Sequence, residues 1–145
     1  MVGQIFPAPL ITGGIGGIVV REEASQGRIL ANVVRRHSPV SDFGAGILIA
    51  GDGFTVAGNL VSEVDTQDGI RVDPGAAGTL LKANVSSKNG DDGIDVDSPA
   101  TTLTANVAND NGELGIEAVA GVTDGGGNRA HGNGDPAQCM GVSCS

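Results

Sequence analysis

The 145 residues predict an all-β chain wound as a parallel solenoid of about five coils, with an asparagine ladder inside it. Two repeating markers carry this expectation. Gly-Ile pairs recur at Gly17-Ile18, Gly46-Ile47, Gly69-Ile70, Gly93-Ile94 and Gly115-Ile116, with isoleucine spacings of 29, 23, 24 and 22. Asparagines recur at Asn32, Asn59, Asn84, Asn106 and Asn128, spaced 27, 25, 22 and 22. Self-similarity at this period is the mark of stacked repeats. Composition is the third observation. The chain has 25 glycines, three phenylalanines and no Trp or Tyr, so a single globular core lacks its usual large aromatics. At 39% hydrophobic it is nevertheless too apolar for disorder, and no run approaches the ~20 apolar residues of a membrane helix.

The local pattern is that of strands. Around each marker Asn the order is apolar-x-small-Asn-apolar, as in Ile29 to Val33 and Leu81 to Val85. This is alternation with period two. Ile70 and Val72, Ile94 and Val96, and Ile116 and Ala118 likewise share a face. Asp73-Pro74-Gly75, Asn89-Gly90-Asp91 and Asn111-Gly112-Glu113 read as turns, and no segment shows a helical period. Coils stacked at ~4.8 Å align equivalent side chains into columns. The Asn amide can then bond the next Asn and backbone at a bend, where Asn and Gly also tolerate left-handed geometry.

In chain order, residues 1–12 read as a lead-in strand or N-terminal cap, 13–138 as the coils and 139–145 as a C-terminal cap. Arg35 to Gly44 reads as a projecting loop that lengthens the first coil, and Pro136 stops the last one. His37 and His131 read as surface-loop residues. The sequon Asn84-Val85-Ser86 is rejected for glycosylation, because Asn84 belongs to the inward ladder.

Charge narrows the partners. Residues 1–36 hold four arginines against two glutamates, and residues 37–145 hold fifteen acids against four basic residues. So acidic a surface argues against nucleic acid and anionic membrane and leaves cations as partners. Cys139 and Cys144 stand alone near the end, either as a disulfide that clamps the tail or as two reduced thiols. The disulfide, favoured by their isolation, implies a secreted or cell-surface protein. The chain carries no export signal of its own, which implies a mature form or a C-terminal piece of a larger protein.

The Gly-Ile strand, the Asn ladder and the coil length resemble right-handed parallel β-helix repeat proteins of the pectate-lyase-like kind. The resemblance covers residues 44–138 and, more loosely, 13–43. Pectate lyases hold calcium with aspartates and use an arginine or lysine as base, which draws attention to Arg71. Its pKa is very high, and pairing with Asp95 is its plainer role. The polygalacturonase motifs are not matched, since Ala130-His131-Gly132 lies too far along and no Arg-x-Lys occurs.

Aligning the Gly-Ile strands stacks Arg71, Asp95 and Glu117 in one outward column and Asp73, Asp97 and Val119 in the next, with Asp68 on Asp92 at the approach. Carboxylates ~5 Å apart repel unless a cation compensates them. Asp73, Asp95 and Asp97 are therefore the candidate calcium ligands and, in an enzyme, the candidate catalytic acids. The same acids also read as a solvated face that keeps an exposed sheet soluble. Five coils with short turns build little cleft, so the leading expectation is a non-catalytic scaffold or binding module of an extracellular, polysaccharide-associated protein with no required cofactor. A small calcium-dependent polysaccharide lyase or hydrolase is the alternative. Its partners would be a polysaccharide or cell-surface component, and end coils could pair between chains.

Overall fold

The computed structural model describes residues 4–5, 10–12, 17–38 and 44–145, with side chains from 17–38 and 44–145. Among the described residues there are eighteen short strands and no helix. The first coil supplies β1 (Gln4–Ile5), β2 (Leu10–Thr12) and β3 (Ile18–Val20), and the second β4 (Arg28–Leu30), β5 (Val33–His37) and β6 (Ala45–Ile49). Then come β7 (Thr55–Ala57), β8 (Leu60–Val64) and β9 (Asp68–Val72), followed by β10 (Leu80–Lys82), β11 (Val85–Ser87) and β12 (Ile94–Val96). The last two coils are β13 (Thr102–Thr104), β14 (Val107–Asn109) and β15 (Ile116–Ala118), then β16 (Thr123–Asp124), β17 (Arg129–His131) and β18 (Cys139–Met140).

Each coil gives one strand to each of three six-stranded sheets, so the solenoid has three faces and six rungs separated by five steps. All pairings are parallel; on the third face Ile70 pairs with Ile94 and Ile94 with Ile116. Residues 1–12, expected as a lead-in or cap, carry β1 and β2, which pair in register with β4 and β5. Of the expected projecting loop, residues 39–43 lie outside the described residues.

The interior is a set of aliphatic columns. Ile29, Val56, Leu81 and Leu103 are fully buried on the first face, and Ile47, Ile70, Ile94 and Ile116 on the third. Burying one such side chain contributes roughly 1.5–3 kcal/mol, so repetition replaces the missing aromatics. The second face tapers inward from Val34 and Val61 to Ser86, Ala108 and Ala130.

The marker asparagines form the expected ladder at the corner between first and second faces. Each Nδ2 donates to the Oδ1 of the next coil's Asn, at 2.9 Å for Asn32 to Asn59 and Asn59 to Asn84, 3.0 Å for Asn84 to Asn106 and 3.1 Å for Asn106 to Asn128. The same oxygens accept the backbone N–H of the previous Asn. The left-handed residue is the one before the Asn, at φ 54° in Ala31, 64° in Gly58, 53° in Ala83, 54° in Ala105 and 73° in Gly127. Arg36, Glu63, Lys88 and Asp110 take the same conformation, all at φ 58°, one residue before His37, Val64, Asn89 and Asn111, so the left-handed bend recurs at the next corner and does not itself require a small side chain.

The corner corrects the simple period-two reading. Strand parity resets at the left-handed residue, so Val33, Leu60, Val85 and Val107 face outward, and Val34, Val61, Ser86 and Ala108 point in. A second ladder, read from sequence only as turns, occupies the next corner. Asn89 donates to Asn111 and Asn111 to Asn133, both at 2.9 Å, and Asn133 to Gln138 at 3.0 Å. The expected surface histidine His37 is fully buried at this corner, in register with Val64 where later coils have Asn. His131 is exposed as expected.

Candidate functional site

The outward side of the third face carries most of the chemistry. β9, β12 and β15 hold Arg71, Asp95 and Glu117 in one column because the inward positions are taken by Ile70, Ile94 and Ile116. The Gly before each Ile lets the chain approach the second ladder. A Cβ on Gly69 would sit 2.5 Å from the Asn89 Nδ2, one on Gly93 2.6 Å from that of Asn111, and one on Gly115 2.6 Å from that of Asn133. Real side chains do not pack so closely, so in these three coils the glycine makes room for the second ladder, whereas Gly46 makes room for Val61 and Val64.

Asp73, Asp95 and Asp97, the expected calcium ligands, surround the guanidinium of Arg71. Its Nε lies 3.2 Å from Asp73 Oδ1 and 3.8 Å from Asp95 Oδ2, and its Nη2 lies 3.2 Å from Asp97 Oδ2. Burial works against the guanidinium charge, but Asp95, Asp73, Asp68 and Asp97 together raise its pKa. Arg71 therefore stays ionised and is not a proton acceptor.

Two other acid groups form on or beside the same face. Carboxylate oxygens of Asp68, Asp91 and Asp92, and separately of Asp92, Asp95 and Glu117, all lie within 4.8 Å of one another. Asp95 is thus shared between Arg71 and the second group, whereas Asp73 and Asp97 stand outside both. Asp68 and Asp92 were placed beside the face by their register, but their burial was not foreseen. Asp68 Oδ1 accepts the Asp92 N–H at 3.1 Å, and Asp92 Oδ1 accepts the Leu114 N–H at 2.6 Å, so these carboxylates repeat on this column what the asparagines do at the corners.

The electrostatics follow from burial and stacking. Burial pushes Asp68 up to about 6, reinforced by the charge of Asp91. Burial likewise pushes Asp95 up to about 7, with Asp68 and Asp97 adding repulsion. Asp92 is raised by burial and then by its hydrogen bond with Glu117. Beside this group lies a groove of about 420 Å³ edged by Asp91, Asp92, Glu113, Glu117 and Asp135, with Met140 at its end. Glu113 and Asp135 sit in turns and, like Asp91, each follows an Asn-Gly pair, so the acid recurs every 22 residues.

A calcium ion takes six to eight hard oxygen ligands at ~2.3–2.6 Å, so opposite ligands lie about 5 Å apart. The Asp92, Asp95 and Glu117 oxygens meet that size and donor type. The raised pKa values of Asp92 and Asp95 mean that a proton competes with the ion. At the end of the chain, Cys139 and Cys144 form a disulfide.

Comparisons with curated proteins and with solved structures return no match. A family model described as right handed beta helix region matches residues 11–144. The six stacked rungs, the corner ladder and this match over nearly the whole chain agree, and the protein belongs to the right-handed β-helix family.

Proposed function

We propose that the chain is a non-catalytic β-helix scaffold whose acidic third face binds cations, serving as a binding module of an extracellular, polysaccharide-associated protein. The observation that carries this reading is the enclosure of Arg71. Among the described residues Arg71 is the one basic residue of the third-face strands, and three aspartates hold it, so it cannot draw a proton from a substrate as the arginine base of a pectate lyase would. The absence of Trp and Tyr removes the usual stacking surfaces for sugar rings, which favours ionic or hydrogen-bonded contact with an acidic polymer through bridging calcium. The disulfide supports an oxidising compartment.

A calcium-dependent lyase or hydrolase is the second reading, favoured by the Asp92, Asp95 and Glu117 group. Oxygens within 4.8 Å of one another suit a shared proton or a shared ion better than an acid and a base flanking a sugar, which stand roughly 5–9 Å apart. The deciding experiment incubates the protein with an acidic polysaccharide, with and without calcium, and follows unsaturated product and new reducing ends. The scaffold reading expects calcium-dependent retention on the polymer with no turnover. Turnover that disappears in Asp95→Ala would replace it with the enzyme.

A further inference from the structure

The disulfide joins the ends of two columns. Cys139 pairs with Ile116, so it takes the rung after the last isoleucine of the third-face core column. Cys144 pairs with Asn128, so it takes the rung after the last asparagine of the first ladder. Between the equivalent points one coil earlier the chain needs the first-face strand β16, but here it passes from Gly141 to Cys144 directly. Residues 141–144 therefore cross the end of the solenoid as a chord, with Val142, Cys139 and Cys144 packed against the core.

Little else holds that chord. Ser143 N–H donates to Asp124 Oδ2 at 2.8 Å and Ser145 N–H to the Asn128 carbonyl at 3.2 Å, and no strand continues beyond Met140. Two hydrogen bonds and three partly buried side chains, two of them the bridged cysteines, compare poorly with the entropy of ordering five residues. The covalent loop is also short, with a separation of five, so closing it constrains the unfolded chain less than a long loop would. Both cysteines are partly exposed, within reach of a small thiol.

We propose that Cys139–Cys144 is a thiol-responsive latch on the end of the β-helix. A dithiol reductant attacks one sulfur to give a mixed disulfide. Its second thiol then displaces that sulfur, so the reductant is oxidised to a cyclic disulfide and two protein thiols form, with two electrons and two protons transferred. The chord then leaves the last rung, uncovering the core beneath Val142 and the outer edges of β16 and β17. Met140 edges the acidic groove, so the open latch also loosens that wall.

The test is amide hydrogen exchange on the full chain, oxidised and after treatment with dithiothreitol, with thiols counted by alkylation. Exchange in residues 123–145 should quicken by at least about tenfold on reduction, while residues 80–96 keep their protection. Cys139→Ser/Cys144→Ser without reductant should match the reduced protein. If the bond resists dithiothreitol in the folded protein, or the end stays protected once two thiols are counted, there is no latch. Acceleration by the same factor throughout would make the bond a staple of the whole fold and likewise overturn the proposal.

Discussion

The corner asparagines and the third-face acids occupy equivalent places, each a column of like side chains stacked rung on rung, yet stacking acts on them in opposite senses. An amide is both donor and acceptor, so each further Asn adds two bonds to its neighbour and none of the pairs repels. A carboxylate only accepts, so each further Asp must find an N–H, a proton or a cation. Asp68 and Asp92 find backbone N–H groups and Asp73, Asp95 and Asp97 find Arg71, yet burial and neighbouring acids still raise the pKa of Asp68, Asp92 and Asp95. Repetition thus makes the corners self-sufficient and leaves the face dependent on what the solvent supplies.

The largest effect that can break this comparison is at a corner. Asn106→Leu strands the N–H groups of Asn84 together with the Leu81 carbonyl and should cost about 3 kcal/mol in urea unfolding. Asn109→Leu, an outward residue three positions on with no side-chain bond to lose, should stay within about 0.5 kcal/mol. Equal costs would remove the ladder from the account. Asn111→Leu in the second ladder should cost about as much as Asn106→Leu, since it gives up the same kinds of bond.

On the acidic face the next effect is that of Arg71→Ala, which leaves three aspartates facing one another. It should cost about 1–2 kcal/mol at pH 8 and clearly less at pH 5, by the same unfolding measurement. The parent chain should show a smaller trend of the same sign. Asp95 titrates at about 7 in the fold against 3.8 for a free side chain, and Asp68 at about 6. Between those values the folded chain binds more protons than the unfolded one, so stability is greatest below pH ~4 for these groups and falls as pH rises to 7. Thermal melts at pH 5 and pH 8 should differ by roughly 5 °C in favour of pH 5, and Asp95→Asn should flatten the difference. On this face the smallest effect belongs to Asp97→Ala, whose partly exposed ion pair should contribute under about 1 kcal/mol.

What the sequence reveals follows the same division. The Ile column and the first Asn ladder are legible because inward positions admit few residue types, so the repeat prints itself every 22–29 residues. The second ladder was hidden because Asn89-Gly90, Asn111-Gly112 and Asn133-Gly134 are also good turn dipeptides, and because His37 and Val64 interrupt the column in the earlier coils. Register placed Arg71, Asp95 and Glu117 together, but which acids Arg71 holds depends on side-chain reach. Arg71 reaches Asp73 and Asp97, which belong to neither acid group, and no spacing rule separates them from Asp92.

The most direct test of the acidic column's dependence on a cation is a calorimetric calcium titration of the oxidised chain at pH 8, paired with a melt in the same buffer. One ion per chain, a higher melting temperature, loss of both in Asp92→Asn and retention of both in Asp73→Asn is the result predicted by the geometry. No heat and no shift at millimolar calcium would contradict it, and the third-face carboxylates would then be a solvated surface balanced by protons and Arg71 alone.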